Sequence, residues 1–384
     1  MLVFEGVHKM KNKWAVFAAL AAFLILTINS ASKGVDTGQI DKVRNKEVLN
    51  NKDLQIIDKF VAESVQELMK TRDFTSIAKV RAVISSRNSS NMDSASAQYA
   101  EQFSESARKY ISEAFEAANK LTPEEHKFRM TINLLILVDS LEDLRLADLA
   151  KGMINDENEA IRYWAVHSLT NPGFIEQLNA TEETKLLASS IIEQLKELVE
   201  SSKPEILALM TEFAAEVDIP QTEDLLLQIA DIRIKRYANW TVEYELLDST
   251  ILRLLDNKMF SGGMSNSAIA RRFGQLYSYV IQRYVKGQDL LSATEKQRLA
   301  SVVVETEVLC INKHLGTAQS AIKKAVEEED YMTLLKEHNR LLGEETRAGL
   351  LPLKLNFDYG KKPDGSRRIA PLALPEPPKT GTSN

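Results

Sequence analysis

Apolar residues recur along most of this chain at the spacing of α-helices. One stripe, with spacings of i, i+4, i+8 and i+11, consists of Ile57, Val61, Val65 and Leu68. This spacing places the four side chains on one face of a helix, with the charged residues between them facing away. Similar patterns continue to about residue 347, and the sequence has no convincing alternation with the period of two that is typical of strands. The pattern predicts an all-α chain.

Three short segments carry the residue types that begin helices. Residues 122–125 read Thr-Pro-Glu-Glu and residues 292–295 read Ser-Ala-Thr-Glu, each with a hydroxyl residue followed three positions later by Glu. In such a capping box the first side chain accepts a helix N–H, and the Glu returns a bond to the first residue. Residues 202–205, Ser-Lys-Pro-Glu, indicate a third start. Helices joined by loops of a few residues favour antiparallel neighbours.

The segment 146–169 resembles a HEAT repeat. Its first predicted helix ends in an Asn-Asp turn at residues 155–156, and its second opens with the pair Ile161-Arg162. In that family the turn Asp and the Arg six residues later form polar ladders between stacked repeats. The resemblance therefore implies a ladder role for Asp156 and Arg162.

A shift of 45 residues gives a second, poorer copy and extends the HEAT-like region to about residues 132–216. The ladder positions of this copy hold Ser201 and Leu207, so the polar pair is missing there. The predicted fold is an irregular α-solenoid, an elongated helical-repeat array of antiparallel helix pairs over residues 40–348. Such arrays bind other chains along a long concave surface.

The N-terminal residues have the layout of a signal peptide over residues 1–32, followed by a linker at 33–39. Lys9, Lys11 and Lys13 precede the apolar run 14–28, and Ser-Ala-Ser follows at 30–32. The run is shorter than the roughly 20 residues of a spanning helix, which favours a cleaved signal over a retained anchor. Translation from either Met1 or Met10 preserves this layout. We therefore expect export to the periplasm or the cell exterior.

The composition changes at Gly349. The segment 349–384, called the tail below, holds most of the ten prolines, and between Leu350 and Asn384 there are six basic and three acidic residues. Proline-rich, polar segments bury little apolar surface, so this segment is expected to be a disordered or surface-draped basic tail. The alternative is that its apolar residues dock on the last helices as a cap, namely Leu350, Leu351, Leu353, Leu355 and Phe357. The whole chain carries a net charge of −6, which makes the body before the tail strongly acidic. An acidic body repels phosphate backbones, and we expect no nucleic-acid partner.

No segment matches a catalytic or metal-binding motif. None of the five histidines has a second His three or four residues away. His167 is expected to be a half-buried helix residue, and His338 to lie on a solvated, charged face. The single cysteine, Cys310, lies in an apolar helical stretch and is predicted to be buried and inert. We therefore expect no enzymatic activity, no cofactor and no metal.

These observations favour an exported scaffold or adaptor of the bacterial envelope whose partner is another protein. Contact with a membrane is expected only through the N-terminal segment, if that segment is retained. Two alternatives stay open. A structural envelope component would self-associate, whereas an unrecognised enzyme or a carrier of a tetrapyrrole-type molecule would need a deep apolar pocket with convergent polar groups.

Overall fold

A computed structural model describes residues 36–89, 93–259 and 266–378 of the chain. The predicted signal peptide and the first residues of the predicted linker lie outside the described residues. Within the described residues the protein is all-α, as predicted, with many helices packed against one another. The β structure of this part is one short hairpin, in which β1 (Gly343–Glu344) pairs with β2 (Arg347–Ala348), and an isolated bridge between Lys361 and Arg367.

The chain divides after Ala114 into two compact units, where the sequence predicted one helical domain over 40–348. The helices that begin in the first unit are α1 (Gly38–Val43), α2 (Asn51–Lys70), α3 (Phe74–Ser85) and α4 (Asp93–Ala118), whose last residues cross the boundary. The predicted stripe on α2 is buried along its whole length. Its burial against neighbouring helices supplies the main driving force for packing in this unit.

The second unit begins at Phe115 and contains the remaining helices. Its shorter elements are the 3₁₀ turn Leu144–Leu146 and the π-helical turn Glu307–Ile311. The helices are α5 (Glu124–Leu141), α6 (Ala147–Lys151), α7 (Glu159–Thr170), α8 (Pro172–Leu178), α9 (Glu182–Leu198), α10 (Pro204–Glu216), α11 (Gln221–Ala238), α12 (Leu247–Lys258), α13 (Ser267–Lys286), α14 (Ala293–Thr306), α15 (Asn312–Leu315), α16 (Ala321–Glu327), α17 (Tyr331–Leu342) and α18 (Leu350–Lys354).

The three predicted helix starts differ in how the structure forms them, and one of the three has a capping side chain. At α14 the Ser292 side chain and Glu295 form the predicted capping box. The helix α10 begins at Pro204, which occupies its first position. The box predicted at residues 122–125 is wrong, because α5 begins one residue later than a Thr122 cap requires. Pro123 occupies the capping position there, and its side chain has no oxygen to accept a helix N–H.

The helix α13 is the most enclosed element of the second unit. It packs against α11, α12, α14 and α17, and every residue from Phe273 to Tyr284 is buried. A helix that is buried on all sides usually presents apolar side chains in every direction. This one instead buries polar side chains, among them Gln275, Ser278 and Gln282. Buried polar groups require partners, and the partners of these side chains define the site described below.

The tail is ordered through residue 378, so the predicted disorder from Gly349 onward is wrong for residues 349–378. Leu351, Leu355, Phe357, Tyr359 and Leu374 are all less than a tenth exposed. The prediction failed because it treated proline content as an absence of packing. In this segment the apolar side chains between the prolines are buried, and the prolines stand in a short helix, in a turn or in irregular backbone.

Gly274 of α13 permits the close approach of this segment. A Cβ at that position would lie 3.0 Å from the Tyr359 hydroxyl and 3.1 Å from Cζ of Phe357. The Tyr359 hydroxyl also donates to the carbonyl of Leu342, at 3.0 Å. Nearby, Arg271 binds the main-chain carbonyl and the carboxylate of Asp358. The tail is thus attached to α13 along its first part before it reaches the site.

Candidate functional site

The predicted ladder residues Asp156 and Arg162 contact each other within one turn. Nη1 of Arg162 donates to the carbonyl oxygen of Asp156 at 2.8 Å and to that of Glu157 at 3.1 Å. The Asp156 carboxylate accepts the N–H of Asn158 at 2.8 Å. The contact therefore runs through the main chain within one turn, whereas the family resemblance implied polar ladders between stacked repeats. It fastens the turn between α6 and α7.

The best-formed polar site of the second unit lies on α13, under residues 372–376, which belong to neither a helix nor a strand. Gln275 forms a paired contact with the main chain of Leu372: the Leu372 N–H donates to Oε1 at 2.8 Å, and Nε2 donates back to the Leu372 carbonyl at 3.3 Å. A side-chain amide can pair with a peptide group in this way because each has one donor and one acceptor side. Gln275 therefore recognises the main chain, whatever the side chain at 372.

Gln282 repeats the contact two turns further along the helix. The N–H of Leu374 donates to its Oε1 at 2.7 Å, and its Nε2 donates to the Leu372 carbonyl at 3.2 Å. Both glutamines are less than a tenth exposed. Their separation of seven residues places them on the same face of α13. An extended chain laid along this face meets one amide and then the other.

Two further side chains complete the site. Nζ of Lys286 donates to the Leu374 carbonyl at 2.7 Å and pairs with the Glu376 carboxylate at 2.7 Å. The indole Nε1 of Trp240 donates to the Pro375 carbonyl at 3.1 Å. We call the surface formed by Gln275, Gln282, Lys286 and Trp240 the tail groove. Its contacts are mainly hydrogen bonds to the backbone of an extended chain.

A buried chain of hydrogen bonds orients Gln282. Its Nε2 donates to Oγ of Ser278 at 2.8 Å, and that hydroxyl lies 2.8 Å from Nε2 of His338. Nδ1 of His338 lies 2.9 Å from Oδ1 of Asn339. If Asn339 accepts from Nδ1, Nε2 is left to accept the Ser278 proton, which leaves the serine oxygen free to accept from Gln282. Burial lowers the pKa of His338, which favours this neutral form.

The solvated position predicted for His338 is therefore wrong: its side chain is buried, at 5% exposure. Ser278 is completely buried, and its hydroxyl already has two partners. The arrangement of Ser, His and Asn resembles the hydrogen-bond chains that activate nucleophiles. In this helix, however, it ends on the amide of Gln282. We therefore assign these residues a positioning role in the groove.

An ionic cluster in the core anchors the two helices on either side of Trp240. Arg233 and Asp248, both completely buried, are joined by two bonds of 2.7 and 2.8 Å. The Tyr237 hydroxyl donates to the same carboxylate at 2.6 Å. This cluster anchors the start of α12 to α11, and the loop between these helices carries Trp240. The guanidinium of Arg283, on α13, lies 5.4 Å from the centre of the Trp240 ring.

A half-open cavity of about 610 Å³ borders the tail groove. Its wall on the helix side includes Gln282, Lys286 and His338, and the tail contributes larger residues such as Arg368 and Ile369 as well as Ala370 and Ala373. Two alanines present little side chain to this space, so the tail leaves part of the available volume unfilled. The groove can therefore accept a chain with bulkier side chains than its present occupant.

The remaining candidate residues have structural roles in the described part of the chain. His167 is half-buried, as predicted, and its Nδ1 lies 2.7 Å from the Asp139 carboxylate. Cys310 is buried, also as predicted, and burial raises the pKa of its thiol to about 12. Across residues 36–89, 93–259 and 266–378, no cluster of His, Cys, Asp and Glu is arranged to hold a metal ion. No helix in these ranges is long and apolar enough to span a membrane.

Comparisons of this chain with protein-family models, with curated proteins and with solved structures find no match. The tail groove was not predicted from the sequence. The signal that was available is the pair of glutamines seven residues apart, Gln275 and Gln282, in a segment (273–284) that is rich in apolar and aromatic residues. Buried amides at that spacing require partners, but nothing in the local pattern says that the partners lie about 90 residues further along the chain.

Proposed function

We propose that this protein is a helical scaffold that holds a partner protein by binding an extended segment of it in the tail groove. The observation that supports this most directly is the contact of Gln275 and Gln282 with the main chain of residues 372–374. Backbone recognition of an extended chain is one of the general ways in which proteins bind peptide segments. In this proposal, the tail occupies the groove until a partner segment replaces it.

Two features support replacement of the tail by a partner. The contact of Lys286 with Glu376 is largely solvated, because the Glu376 side chain is 83% exposed, and exposed pairs contribute little to stability. The cavity beside Ala370 and Ala373 leaves space that a partner side chain can fill. A tethered tail competes through its high effective concentration rather than through the quality of its contacts. A partner that fills the cavity has the better contacts.

We also propose that the HEAT-like unit at 146–169 is a repeat of this scaffold. In support, the turn between α6 and α7 is closed by Arg162, and α7 packs against both α5 and α10. Export remains part of the proposal on the strength of residues 1–32. Protein recovered from the native host should then begin within a few residues of Lys33, and a retained N-terminus in the cytoplasm would remove this part of the proposal.

A comparison of three baits tests the binding function. The first is the full chain, the second is a chain ending at Arg368, and the third is the shortened chain that also carries Gln275→Ala and Gln282→Ala. A protein that binds through the groove is captured best by the second bait and lost from the third. A synthetic peptide with the sequence of residues 369–378 should release it. Equal capture by the second and third baits would show that the partner uses another surface.

A further inference from the structure

The tail groove uses the N–H groups of alternate tail residues. Those of Leu372 and Leu374 donate to Gln275 and Gln282, respectively. Pro371 directly precedes Leu372, and Pro375 directly follows Leu374. Proline has no N–H to donate. The Pro375 carbonyl nevertheless accepts from Trp240. The prolines therefore stand where their missing donors cost no contact, and their fixed backbone angles favour the extended form.

The groove also distinguishes the side chains of the same residues. Leu374 is 1% exposed, whereas Leu372, two residues earlier with the same type of backbone contact, is 41% exposed. One aliphatic side chain thus enters the core, and the other remains at the surface. Two positions beyond the buried leucine, Glu376 meets the ammonium of Lys286. Three consecutive residues thus differ in what the groove contacts: a buried aliphatic side chain at Leu374, a residue without an N–H at Pro375 and a negative charge at Glu376.

We propose that the tail groove selects extended segments with a large aliphatic residue, then proline, then an acidic residue, as in Leu374-Pro375-Glu376. This inference rests on the proposed function, because it states which partner segments the groove accepts. Leucine supplies the apolar burial, proline fits a position that donates no N–H, and the acid pairs with Lys286 in a solvated contact that contributes less than the leucine. Residues before the leucine are bound through their backbone and vary freely, except that the positions of Leu372 and Leu374 require an N–H.

Hydrogen exchange in the full chain tests this selection without any partner. The amide of residue 374 is held by Gln282, so its exchange rate reports how often the tail leaves the groove. Leu374→Ala should speed this exchange by about tenfold or more, because it removes most of a buried leucine side chain. Leu372→Ala is the matched control, the same change at an exposed leucine, and should change the rate by less than about threefold.

A second matched pair tests the alternation of N–H groups. Leu372→Pro removes the donor to Gln275 and should speed exchange at residue 374 by at least about threefold. Ala373→Pro places proline where no N–H bond to the groove is made, and it should change the rate by less than about threefold. Unchanged amide exchange within α13 in all four variants would confirm that only tail release is measured.

The outcomes separate the selection from the function. Equal effects of the two alanine variants, or an Ala373→Pro effect as large as that of Leu372→Pro, would overturn the selection rule. The proposed function would then still be judged by capture of a partner with the three baits. If the exchange pattern is as expected but no groove-dependent partner is captured, the selection describes how the tail docks, and the binding function fails.

Discussion

Replacing Asp248 with Asn should strongly destabilise the second unit. The Asp248 carboxylate accepts two bonds from Arg233 and one from Tyr237, and both members of the ion pair are completely buried. An Asn has one acceptor oxygen, so at least one of these donors faces an amide N–H₂ group. The guanidinium also loses its neutralising charge. Breaking one side of a buried pair costs about 3–5 kcal/mol.

That magnitude is a large share of the roughly 5–15 kcal/mol that stabilises a typical folded protein. Urea unfolding followed by tryptophan fluorescence measures it, because Trp164 and Trp240 both lie in the second unit. The control is a triple variant, Arg233→Met, Tyr237→Phe and Asp248→Leu, which replaces the whole cluster with apolar side chains. It should lose less stability than Asp248→Asn alone, since no buried charge is left unpaired.

A loss of less than about 1 kcal/mol in Asp248→Asn would refute this reasoning, because that is the range of exposed pairs. A triple variant that is far less stable than the single variant would show that the cluster contributes net attraction. In either case, the Trp240 indole should report whether the loop between α11 and α12 still reaches the tail.

Two further predictions concern α13 and its partners. Gly274→Ala should lower the free energy of unfolding by about 1–3 kcal/mol through crowding against Tyr359 and Phe357, which exceeds the gain of at most about 1 kcal/mol in helix propensity. Gly152→Ala, whose Cβ meets only ordinary contacts at 3.6 Å, is the control, and an equal melting temperature for both would contradict the argument. Because burial places the folded pKa of His338 below its unfolded value of about 6.5, the unfolded chain takes up a proton first. The free energy of unfolding should therefore fall as the pH drops below about 6.5. Urea titrations at two pH values should show a smaller pH dependence in His338→Gln. The same pH dependence in this variant would exclude His338 as its source.

The sequence predicted those features that depend on neighbours a few residues away. The stripe on α2 and the capping box at Ser292 are local patterns, and each fixes a helix face or a helix start. The buried position of Cys310 follows from the apolar residues around it. The apolar run of α5 was predicted in the same way, but the cap predicted for this helix at Thr122 is wrong.

The groove could not be predicted because its bonds join distant parts of the chain. Gln275 and Leu372 are 97 residues apart. The composition of the tail does not indicate which distant residues it contacts. Leu374 lies among several prolines, and proline-rich segments tend on average to be disordered. What decides its burial is a matching surface on α13, and that surface is assembled only when several helices have packed.

The distance along the chain between α13 and its occupant also determines the order of folding. Closing a loop costs entropy before its contacts form, whereas local helical contacts require no such closure. The helices around α13 are therefore expected to assemble first, with Gln275 and Gln282 solvated, and the tail to dock in a later kinetic step. During that interval the groove is open in every newly folded molecule. If the groove binds a partner as proposed, a partner present at that moment meets no competitor, and capture is favoured before the tail closes over the site.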